Sequence, residues 1–167
     1  MTQPIDVFRT ITADEMHALL ADMRDNLRPL YKQVESVTAA TLRVRPVFLG
    51  KQPFDKRCDM IKKALSLKMN ADAVAEILPA FFLERYPKDV AQLLDALELP
   101  HEDGVLKGDA PKEPTKAKLK KVVEAFRKGE NPVMRELLLK TFAAQGAIDW
   151  PTLDEMVFGR QEAPTRS

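Results

Sequence analysis

The chain has 167 residues, 45% apolar and 31% charged, which is ample for one packed core and typical of a globular protein. Its 26 basic and 25 acidic side chains leave a formal charge of +1, which excludes steering of the whole molecule toward nucleic acid or an anionic membrane and confines any electrostatic partner to a local patch. The single cysteine, Cys58, excludes an internal disulfide, and no run approaches the ~20 apolar residues that span a bilayer, so a cytoplasmic protein with no membrane partner and no cofactor is expected.

Apolar positions recur at helical spacing nearly throughout and no strict alternation is found. The expected fold class is therefore all-α, a single-domain compact bundle of about six to eight helices. Thr12 stands three residues before Glu15, the spacing of a capping box, and opens residues 12–44. Met16, Leu19, Leu20, Met23 and Leu27 share one face, and the stripe runs on through Tyr31 and Val34 without losing phase at Pro29. Either one long helix kinks at Pro29 or a second begins there; the unbroken phase favours the kink. "RVRPVFLGKQP", residues 43–53, reads as a connection because two prolines and a glycine break the pattern.

Residues 54–99 make a first helical unit. Phe54, Cys58, Ile61 and Leu65 form one stripe, and Asn70 is a candidate N-cap for a helix through Val74, Ile77, Phe81 and Phe82, with a bend at Pro79. Pro87 opens a helix carrying Val90, Leu93, Leu94 and Leu97. Residues 100–114, "PHEDGVLKGDAPKEP", have no periodicity and read as the longest irregular connection.

Residues 115–158 make a second unit. Its first helix carries Leu119, Val122, Val123 and Phe126 and ends at Gly129, where a residue without Cβ can take positive φ. A helix capped by Asn131 follows, with Met134, Leu138, Leu139 and Phe142, ending near Gly146; a short one starts at Pro151, and 159–167 form a polar, frayed tail. Ile61, Leu65, Asn70, Ile77 and Phe81 match Val122, Phe126, Asn131, Leu138 and Phe142 at one constant offset, the pattern of two repeated three-helix units. The competing account is that any two amphipathic helices can be slid into coincidence.

The charge runs are the main functional signal. Lys56, Arg57, Lys62 and Lys63 on one helix, and Lys116, Lys118, Lys120 and Lys121 on another, are candidate phosphate contacts for a nucleic acid. Against this, lysines on a helix's polar face ordinarily just keep it solvated, and no aromatic residues interleave with them for base stacking. For Phe81 and Phe82 in "LPAFFLERY", and for Trp150, burial in the core is the simpler account; the alternative makes them, with Tyr86, candidate contacts for a protein partner.

His17 and His101 are the only histidines, and "HED" at 101–103 is the one place where acid–base chemistry is suggested. With one cysteine there is no zinc spacing, and no Gly-rich phosphate loop or nucleophile elbow is found, so no catalytic or metal-ligating residue is assigned. The expected function is a non-enzymatic binding or adaptor module for a protein partner, with self-association through the same surface allowed. Nucleic-acid binding through the lysine faces is the alternative, and an enzyme with a site near His101 the third reading.

Overall fold

A computed structural model describes residues 2–108, 111–145 and 148–162, with side chains through Gly159. The expected Gly146 terminus and residues 163–167 of the tail lie outside the described residues. The fold is all-α, with ten α-helices among the described residues and a minimal β-hairpin.

By contacts the chain divides into two compact units, Pro4–Phe81 and the part from Phe82 onward together with the residues before Pro4. The first begins with α1 (Ile5–Thr10), which no periodicity announced because six residues are under two turns; Ile5, Val7 and Phe8 are nonetheless buried. The Thr12–Glu15 capping box starts α2 (Ala13–Asn26), each side chain accepting the other's backbone N–H. At Pro29 the expected kink is instead a break. Leu27 leaves helical geometry (φ −134°, ψ 63°), and α3 (Arg28–Leu42) restarts with Pro29 in its first turn. Within a continuous helix the proline ring would press on the carbonyl four residues earlier; in a first turn it meets none. Phase survives because α2 and α3 bury Met23, Tyr31 and Val34 in the same core.

The connection at 43–53 contains a short helix, α4 (Pro46–Gly50). Helix α5 (Phe54–Leu65) buries Cys58, Ile61, Ala64 and Leu65 and packs on α1, α2 and α3. A 3₁₀ turn, Lys68–Asn70, leads into α6 (Ala71–Arg85), which runs through Pro79 and within which the two units divide.

In the second unit, α7 (Pro87–Ala96) starts after Tyr86, whose φ of −133° repeats the break seen at Leu27. Residues 100–114 are not wholly irregular: β1 (His101–Glu102) and β2 (Val105–Leu106) form an antiparallel hairpin. Asp103 and Gly104 both have positive φ (50° and 89°), as a two-residue I′ turn demands. Two-residue strands are too short to show alternation. Helix α8 (Lys116–Arg127) packs on α7, on α9 (Pro132–Ala143) and on α10 (Pro151–Glu162). Helix α9 is buried continuously from Leu137 to Ala143. Helix α10 extends into the stretch expected as tail, up to Glu162.

Helices α6 and α9 start at residues 71 and 132, the same offset that relates Ile61 to Val122. Their settings differ. Asn131 takes the left-handed conformation (φ 55°) and its side chain accepts the Met134 N–H, whereas the Asn70 amide donates to Thr41 Oγ1 (2.9 Å) and the Ala64 carbonyl (2.7 Å).

Candidate functional site

The cations of α5 divide by use. Arg57 Nη1 donates to Tyr31 Oη (3.0 Å) and Nη2 to the carbonyls of Gly50 (2.8 Å) and Gln52 (3.0 Å), tying the α4–α5 connection to α5. Lys62 Nζ donates to the carbonyl of Ile11 (3.0 Å), just past the end of α1. Both are half-buried and spend hydrogen bonds on backbone acceptors of the fold. Lys56 and Lys63 are exposed, but exposed Asp59 lies three residues after one and four before the other, where opposite charges are neighbours on a helix surface. The outer face of α5 is therefore balanced in charge.

Helix α8 is different. Thr115 caps it by accepting the Lys118 N–H, and Leu119, Val123 and Phe126 turn inward. Its lysines then flank two grooves. Lys116 and Lys120 border one of about 300 Å³ against α10, with Val123, Thr152 and Met156. Lys118 and Lys121 border another of about 370 Å³ against α7, lined by Ala96, Val122, Ala125 and Phe126. Lys118 pairs with Glu98, and that hydrogen bond holds the Glu98 carboxyl below its ordinary range. Lys116, Lys120 and Lys121 are exposed, and none has an ion pair among the described residues.

The expected partner contacts need correction. Phe81, Phe82 and Trp150 are buried; each is core, not surface. Trp150 packs edge-on against Phe142 (5.6 Å between ring centroids) and its Nε1 donates to the Pro111 carbonyl (3.0 Å), fastening the segment before α8 to the start of α10. Tyr86 is half-buried at a cleft of about 670 Å³ whose lining mixes Glu84, Arg85, Lys88, Asp89 and Glu130.

His101 belongs to the hairpin. Its Nδ1 accepts the Gly104 N–H (3.1 Å), so Nε2 carries the hydrogen and donates to Asp95 Oδ1 (2.8 Å). Neither ring nitrogen is left for a reacting group. Cys58 is buried, and desolvation pushes its thiol up to about 11, the reverse of an activated nucleophile. No cluster of metal-ligating side chains occurs among the described residues.

The basic run from Arg43 to Lys68 is legible in the sequence, but the apolar side chains exposed within it are not. On α4, Leu49 is fully buried while its neighbours Val47 and Phe48 are exposed, with Arg43, Arg45 and Lys51 exposed around them. The available signal was the absence of any acidic residue between Glu35 and Asp55.

Set against protein-family models, curated proteins and solved structures, the chain matches none.

Proposed function

We propose that the protein is a binding module whose α7–α8 groove accepts an acidic amphipathic helix of a protein partner. The observation that carries this reading is the groove itself. Its wall of Ala96, Val122 and Ala125 is open to solvent, while Lys121, with no ion pair among the described residues, and Lys118, paired with Glu98, stand at its edge. A helix laying apolar residues on that wall would place its acidic flank beside Lys121, so burial supplies affinity and charge supplies orientation.

The test is a titration of the isotope-labelled protein with a designed peptide carrying Leu and Ala on one helical face and Glu on the other. Saturable shifts at the amides of Ala96, Val122 and Ala125, lost in Lys121→Glu/Val122→Asp, are expected. A scrambled peptide of equal charge that binds as well would reduce the reading to nonspecific attraction. Binding of labelled duplex or single-stranded DNA that requires Lys116, Lys120 and Lys121 would transfer it to the nucleic-acid alternative.

A further inference from the structure

Large apolar side chains left in solvent are few among the described residues, and four of the five come from two short segments of the first unit. Val47 and Phe48 on α4 are 65% and 48% exposed; Leu67 and Met69, around the 3₁₀ turn, are 40% and 74% exposed. Neither pair is outward for want of order. Leu49 is fully buried beneath α4, and Arg57 holds the end of α4 through the Gly50 and Gln52 carbonyls. The second segment is clasped by Asn70, whose amide bonds Ala64 behind it and Thr41 at the last turn of α3. Since α3 also leads directly into α4, both segments adjoin the C-terminal end of α3.

Within the two segments the charge has one sign, with exposed Asp55 and Asp72 at their borders. Residues 36–54 and 60–71 contain no aspartate or glutamate, while Arg43, Arg45, Lys51 and Lys68 are exposed. We propose that this end of the first unit, with exposed Val47, Phe48, Leu67 and Met69 and exposed Arg43, Arg45, Lys51 and Lys68 in the same two segments, docks on an anionic phospholipid surface. Such a surface offers both complements at once: phosphate and carboxylate headgroups for the cations, and acyl chains for anchored apolar side chains. A single-stranded nucleic acid would answer the charge but gains its stacking from aromatic faces, and of the four side chains only Phe48 has one. A second copy docked face to face would bring Arg43, Arg45, Lys51 and Lys68 against their own equivalents. This inference lies beyond the helix-binding reading, uses other residues, and departs from the expectation of no membrane partner, which weighed only spanning segments and whole-molecule charge.

The experiment is flotation of the full chain with vesicles of phosphatidylcholine alone and of two parts phosphatidylcholine to one part phosphatidylserine. Binding to the mixed vesicles, absent on pure phosphatidylcholine and weakened by salt, is expected. Phe48→Ser/Met69→Ser should lower it about tenfold or more, as should Arg45→Glu/Lys51→Glu, both with unchanged circular dichroism. Lys121→Glu/Val122→Asp should float like the wild type, which separates this inference from the groove. No flotation with the mixed vesicles overturns the proposal, as do apolar variants that float undiminished. Phe48-dependent binding of a labelled single-stranded oligonucleotide in place of vesicles, or a Phe48-dependent dimer by light scattering without flotation, overturns it in favour of those occupants.

Discussion

Arg135 occupies the space that a side chain at Gly129 would need: a Cβ built there overlaps the guanidinium. From that position Arg135 donates to the carbonyls of Phe126 (3.1 Å) and Glu130 (3.0 Å), to Asp89 (3.1 Å) and to Gln92 (3.1 Å), and it stacks on the Phe126 ring. The glycine was expected to end α8 through positive φ; the left-handed residue is Asn131 instead, and Gly129 serves by being small. Gly129→Ala should destabilise by about 1–3 kcal/mol, seen as a lowered urea midpoint at constant slope. An unchanged midpoint would show that the guanidinium can move aside at no cost.

The Arg135–Asp89 pair is mostly buried, so its halves are unequal. Arg135→Ala strands Asp89 and two carbonyls and should cost about 3–5 kcal/mol, whereas Asp89→Ala leaves Arg135 its other acceptors and should cost about 1–3 kcal/mol. Chemical denaturation of the two variants and the double variant would give the order, with the double variant falling short of the sum.

Thr12→Ala removes the acceptor for the Glu15 N–H at the start of α2 and should cost about 1 kcal/mol by the same measurement. Glu15→Gln keeps an oxygen for the Thr12 N–H and should cost less.

Gly104 holds φ at 89°, and an added Cβ would lie 2.8 Å from Leu83 Cδ2. Gly104→Ala should therefore unseat the hairpin and lose about 1–3 kcal/mol. Amide exchange at Gly104, now bonded to His101, should accelerate more than exchange within α9.

Cys58 gives a pH dependence of definite sign. Its folded pKa of about 11 lies above the ordinary 9.0, so between those values the folded state holds more protons than the unfolded state. Stability should be unaffected by this thiol below pH 9 and fall as pH rises from there to about 11. Cys58→Ala should flatten that part of the stability profile, and alkylation of native protein at pH 8 should wait on unfolding. Rapid native-state alkylation would contradict the burial.

The sequence by itself determined the features that local chemistry controls. The capping box at Thr12, the prolines in the first turns of α7, α9 and α10, and the stripes of α2, α5 and α8 depend on neighbours within a turn or two, so they are legible in one dimension. Pro29 marks the limit. The same stripe fits a kinked helix or two helices, and only the backbone at Leu27 decides. What tertiary structure alone decided was the use of each polar and aromatic side chain. Arg57 reaches Tyr31 across 26 positions, Lys62 reaches Ile11 across 51 and Arg135 reaches Asp89 across 46, so these bonds have no local signature. The aromatics divide for the same reason. Phe81, Phe82 and Trp150 meet other parts of the folded chain and are buried, whereas Phe48, with Leu49 beside it taking the inward position, stays half in solvent.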